Sequence, residues 1–269
     1  MYVIYNEITG KKIQLATKPK RIISLSPSIT EILFDINAGK SVVGVSAYCK
    51  RPASVQNLPN VGSYNHVSMK SLNDLKPDLI FTVTGYQRDL AIKLSEMFNV
   101  YPLPIPTGII GILNMINQVS IIVGKEDRGV QVQKNLISIL NNIKSNITKT
   151  VYVEIDLGGP VTFGNFSYIT DALRFTGYDN IYAYENKEWL EPDFQFVMDS
   201  DPDIIIYEHG WNKTFTKKDL HEMIDERKWN NLSAYRNNRI YLTPGKYDFL
   251  AHHGTSFIKK VIQWLKSLQ

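Results

Sequence analysis

The chain has 269 residues, 43% hydrophobic and 21% charged, a balance that excludes long disorder, collagen-like repeats and coiled coil. Thirty Lys and Arg against 26 Asp and Glu leave a net charge of +4, too small and too evenly spread to argue for a nucleic-acid partner. The lone cysteine, Cys49, excludes an internal disulfide, a Cys-based structural zinc site and an iron–sulfur cluster.

Apolar β-branched runs alternate with helical patterns, which predicts an α/β fold with mostly parallel strands. Residues 21–25 (RIISL) read as a strand. Ser26 is placed to cap the next helix and Pro27 to take its first position, where a missing N–H costs nothing. Gly39 is expected to supply the left-handed residue after that helix. Strands follow at 42–45 and 79–83 (LIFTV), then a helix at 87–97 and a short extended piece at 101–106. The most apolar stretch, 108–124, is broken by Asn114, Asn117 and Gln118, so no membrane span is expected. Residues 125–147 carry Val132, Leu136, Ile139, Leu140 and Ile143 at helical spacing and predict one stiff helix of about 33 Å. Beyond it come a strand at 150–155, a glycine-bearing loop, and a helix at 170–177 stopped by Gly177. Strands at 204–207 and 239–242 precede a last helix at 254–268, with Phe257, Val261, Ile262, Leu265 and Leu268 on one face.

An internal repeat links the halves. LKPDLIF at 75–81 matches SDPDIII at 200–206, an offset of 125 residues that also aligns Leu72 with Val197. Both copies read as helix, Pro-Asp turn, strand. TEIL before Gly39 likewise echoes TDAL before Gly177. We therefore expect two α/β lobes, 1–110 and 149–269, joined by a helical connection at 111–148 that includes the long rigid helix. Each lobe would hold a central, mostly parallel sheet flanked by helices, with a ligand cleft between them.

The ordered set RIISLSPSITEILFDINAG, VVGVSAY, PNVGSY, LNDLKPDLIF, TDALRFTG and DPDIIIY, with the joining and C-terminal helices, resembles the vitamin-B12-binding, ferric-siderophore-binding and haem-binding receptors of ABC importers. The resemblance spans roughly residues 5–267. It implies a monomeric, non-enzymatic receptor with no cofactor of its own. Such a receptor holds a metal-chelate nutrient in an aromatic cleft and delivers it to a membrane permease of an ABC transporter. A corrinoid is favoured, with a ferric siderophore or haem as the other ligand classes. By local alignment the ligand-facing positions are Tyr48, Tyr64, Tyr86, Phe163, Trp189, His209, Trp211, Asp248, His252 and His253, with His253 or Tyr86 as the axial donor to a metal centre. Val83 and Val161 stand where vitamin-B12 receptors carry aromatic residues.

Many such receptors also bear a glutamate on each lobe that pairs with permease arginines. The matching positions here hold Lys70 and Gln195, again 125 residues apart, so docking is expected to use neighbouring Asp74, Asp193 or Glu191, or not to occur. The opening MYVIYNEITGKK has no apolar signal-peptide run; it resembles the start of a mature exported receptor, which favours the periplasm or cell surface over the cytoplasm. Two other readings stay open. One is a cytosolic corrinoid or haem carrier or sensor without a transporter. The other is a chelatase-like tetrapyrrole enzyme using Glu208 and His209 as acid and base, although no GxSxG, HExxH or phosphate loop accompanies it. Cys49 reads as an inert small residue.

Overall fold

Two short alternating runs, YVIYN and KKIQL, pair as an antiparallel hairpin, β1 (Tyr2–Asn6) and β2 (Lys11–Leu15), which the sequence reading had not separated. Its turn needs Gly10, whose φ is +65°. The hairpin is tied down by Tyr2 Oη donating to Ile121 O (3.0 Å), Asn6 Nδ2 donating to Pro102 O (3.0 Å), and an ion pair of Lys18 with Glu126 (2.8 Å). The protein is seen here in a computed structural model describing residues 1–143, 149–210, 215–245 and 248–268. Contacts divide it into two units: Met1–Pro106 with Ile110–Ser138 and His253–Thr255, and Thr107–Ile109 with Ile139–His252 and Ser256–Gln269.

In the first unit β3 (Ile22–Ser24), α1 (Pro27–Asp35), β4 (Val42–Val45), α2 (Met69–Leu75), β5 (Leu79–Val83), α3 (Arg88–Leu94) and β6 (Val100–Leu103) alternate as predicted. The sheet is wholly parallel in the order β4-β3-β5-β6, and all five residues of β5 are buried, as expected for a strand covered on both faces. Pro102, which lacks a donor, stands on the edge strand β6. Pro27 takes the first helical position of α1, but the Ser26 hydroxyl does not cap; it pairs with the Ser28 hydroxyl at 2.8 Å. Gly39 is not the left-handed residue. Asn37 is, at φ +60°, because its short polar side chain tolerates that region. Gly39 is needed for space instead: a Cβ there would lie 2.7 Å from the Phe34 ring. The helix expected at 87–97 is shorter, since Gly85–Gln87 form a 3-10 turn ahead of α3.

Two helices follow, α4 (Ile109–Val123) and α5 (Glu126–Asn141), the second burying Leu136 and Leu140. At 16 residues α5 is about 24 Å long, shorter than expected. It stops at Asn141-Asn142, side chains that compete for backbone groups and favour turns.

The second unit contains β7 (Lys149–Asp156), β8 (Pro160–Val161), α6 (Tyr168–Phe175), β9 (Tyr178–Asn180), α7 (Phe194–Ser200), β10 (Ile204–Glu208), α8 (Lys217–Glu226), α9 (Ser233–Arg236) and β11 (Ile240–Leu242). A π-helical turn, Phe257–Val261, leads into α10 (Ile262–Ser267), burying Phe257, Val261, Ile262 and Leu265 on one face. β9, β7, β10 and β11 run parallel in that order, with β8 antiparallel to β7. Gly177, at φ +95°, ends the α6 region as predicted.

Counted by their parallel strands, both sheets thus have the same order, second-first-third-fourth, and the 125-residue repeat is structural. α2 and α7 each have seven residues, start at a side-chain cap (Ser68, Asp193) and end at a left-handed residue (Lys76, Asp201). Leu72 and Val197 are both fully buried. The Asp of each Pro-Asp turn then fastens the start of the neighbouring strand. Asp78 accepts the Lys20 and Arg21 N–H groups (2.8 and 3.1 Å), and Asp203 accepts the Thr150 N–H and hydroxyl (2.8 and 3.0 Å).

Candidate functional site

Open parallel sheets bind ligands beyond their C-terminal strand ends, where the strand order reverses. In the first unit that point lies between β3 and β5. The chain leaves β5 through Thr84 and Gly85, the latter at φ +70°, and presents Tyr86 with 72% of its surface exposed. Gln87 turns inward and is fully buried. Its Oε1 accepts the Val83 N–H (3.0 Å), and its Nε2 donates to Leu25 O (3.0 Å) and Tyr64 O (2.9 Å), so one side chain fastens β3, β5 and the Tyr64 loop. Tyr48, after β4, meets Tyr64 edge-on, with centroids 6.1 Å apart and planes at 88°. Tyr48, Tyr64 and Tyr86 are thereby brought to one end of the sheet. Cys49 is buried, with Thr30 Oγ1 at 3.1 Å and Ser46 Oγ at 3.3 Å from its sulfur. Val83 is buried as well.

In the second unit the reversal lies between β7 and β10. Thr162 and Leu190 exchange backbone hydrogen bonds (2.8 and 2.9 Å), which brings buried Phe163 and half-exposed Trp189 into adjoining segments. The Phe163 carbonyl accepts from Asn180 Nδ2 at 2.7 Å. His209, just past β10, stacks on Phe215 with centroids 5.8 Å apart. Trp211 lies outside the described residues.

Glu208 ends β10 fully buried, its oxygens accepting the N–H groups of Phe249 (3.1 Å) and Leu250 (2.6 Å). Burial pushes its pKa up to about 7, helped by Asp248 and opposed by the amides of residues 249–251. Asp248 has φ +57°, and its Oδ2 is 3.5 Å from His252 Nδ1. Both His252 (2% exposed) and His253 (7%) are buried, whereas Tyr86 is open.

On the candidate docking helices, Lys70 pairs with Asp74 one turn on in α2 (2.7 Å), and Gln195 donates to Asp199 one turn on in α7 (2.8 Å). Asp193 is committed to capping α7 through the N–H groups of Gln195 and Phe196. Among the described residues no group of three His, Cys, Asp or Glu could hold a metal ion, and no helix is long and apolar enough to cross a membrane. The sequence reading missed Gln87, whose role depends on carbonyls 62 and 23 residues away and leaves no local pattern.

A family model described as periplasmic binding protein matches residues 22–247. An uncharacterized ABC transporter substrate-binding lipoprotein of Bacillus subtilis is 22% identical over 99% of this chain and 85% of its own length. A vitamin B12-binding protein of Vibrio parahaemolyticus is 23% identical over 88% of this chain and 86% of its own. Among solved structures, the molybdate-bound periplasmic binding protein MolA of Haemophilus influenzae superposes with a TM-score of 0.76 at 17% identity, covering 99% of this chain and 90% of that one.

Proposed function

The chain belongs to the periplasmic binding protein family, and from that premise we propose that it captures a metal-chelate nutrient, a corrinoid before a ferric siderophore or haem, for an ABC transporter. The observation that carries the reading is a set of aromatic side chains in each unit: Tyr48, Tyr64 and Tyr86 at one end of the first sheet, and Phe163 and Trp189 in adjoining segments of the second unit. Aromatic faces suit a broad, partly apolar macrocycle. The vitamin B12-binding relative supports the corrinoid. The molybdate-binding fold neighbour marks how little the fold alone says about the ligand.

Tyr86 is the better axial donor, because its ring is open to solvent while His253 is buried. The acid–base pair of an enzyme reading loses support, since both oxygens of Glu208 accept backbone N–H groups. The lipoprotein relative favours an extracytoplasmic location. Binding is monomeric and returns the ligand unchanged. The test is absorbance after mixing with cyanocobalamin, haemin or a ferric siderophore and desalting. Co-elution of one chromophore supports the reading and names the class, and a Soret band that shifts back in Tyr86→Phe identifies the axial donor. Three colourless eluates would overturn it.

A further inference from the structure

Asp248 takes a left-handed backbone conformation, and the next three residues turn their N–H groups toward one point. Successive amides in such a turn form a concavity that favours an anion. The point is occupied by the chain itself: Glu208 accepts from Phe249 and Leu250, and the Ala251 N–H adds to them. Opposite these amides, Tyr168 Oη donates to Leu250 O at 3.0 Å, so the turn is held on both its donor and acceptor sides. The turn bears Asp248 and His252, two of the positions expected to serve the ligand, and leads into His253.

We propose that Glu208 is a positioning residue, which by filling the amide concavity of residues 249–251 fixes the loop that carries Asp248 and His252 to the ligand end of the second sheet. It touches no ligand, because its acceptor oxygens are spent on the backbone. The charged neighbour that acts on it is Asp248, whose carboxylate disfavours a second negative charge; His252 lies on Asp248 in turn. This inference rests on the receptor reading only for its consequence on binding, not for the loop itself.

The experiment is amide hydrogen exchange on the full chain, expressed as protection factors, with β7 amides as internal reference. Glu208→Ala should lose at least tenfold in protection at 249–251 while β7 stays level, and at least tenfold in affinity for whichever of cyanocobalamin or haemin the native protein retains. Glu208→Gln, which keeps one acceptor oxygen, should retain intermediate protection. Unchanged protection at 249–251 in Glu208→Ala, or in Glu208→Gln should Glu208→Ala not fold, overturns the proposal. Failure of the native protein to retain either probe counts against the receptor reading, while the exchange data still judge Glu208.

Discussion

Glu154 stands in the apolar run of β7, fully buried, and both Tyr152 Oη and Arg227 Nη1 donate to the same carboxylate oxygen, each at 2.6 Å. The Arg227 guanidinium lies over the rings of Phe194 (4.5 Å) and Trp229 (4.8 Å). Burial raises the Glu154 pKa and Arg227 pulls it back down. Removing one partner of such a pair leaves a desolvated charge, so Arg227→Met should destabilise the fold by about 3–5 kcal/mol at neutral pH. The sign with pH is set by the raised folded value: the carboxylate is tolerated best when protonated, so the penalty should shrink as pH falls into the carboxylate range. Urea unfolding of both proteins at pH 5 and pH 8 reads this; an equal penalty at both would count against a charged Glu154. Arg227→Lys should recover only part, because an ammonium lacks the planar face that lies on the two rings. In the sequence Glu154 shows only as an anomaly in VYVEID, and its partner is 73 residues away. Local spacing carries no trace of either, just as it carries none of Gln87.

The helix–Pro-Asp–strand unit is where the sequence was most readable, because each of its parts is local. A side-chain cap, a buried apolar residue, a left-handed stop and a proline lie within about ten residues in both copies. The structure adds the job of the aspartate, which ties the start of the adjacent strand. Asp203→Ala should cost about 1–3 kcal/mol, because it leaves two part-buried donors without their acceptor, and Asp78→Ala about 0.5–1.5 kcal/mol, because its two bonds are exposed and water replaces them. The two sites sit in different units and share no partner, so the double variant should equal the sum within about 0.5 kcal/mol in chemical denaturation. A loss confined to one of them would show that the repeat is one of shape and not of energetics. Elements that depend on distant contacts were less readable. The β1–β2 hairpin is anchored to Pro102, Ile121 and Glu126, about a hundred residues away, and Gly39 looked like a helix stop when its role is to clear the Phe34 ring.

At the scale of the whole molecule, a receptor that docks to a permease by charge must present its carboxylates free of internal cations. The helices α2 and α7 differ in this respect. On α2, Asp74 pairs with the Lys70 ammonium, both well exposed, whereas on α7 Asp199 accepts from the uncharged amide of Gln195. Exposed i,i+4 pairs contribute little to stability, so these side chains are available to a partner. The helix-by-helix expectation is therefore asymmetric. Asp199→Asn should weaken binding to the cognate permease severalfold more than Asp74→Asn, and Lys70→Glu with Gln195→Glu should tighten it, with a gain that fades between 50 and 500 mM salt. Binding of the liganded protein to the permease in nanodiscs measures this directly. Tighter docking by the double glutamate variant would mean that α2 and α7 face arginines with too little negative charge of their own. Indifference to all four substitutions would mean that these helices do not meet the permease, and the repeat would then be a feature of folding alone.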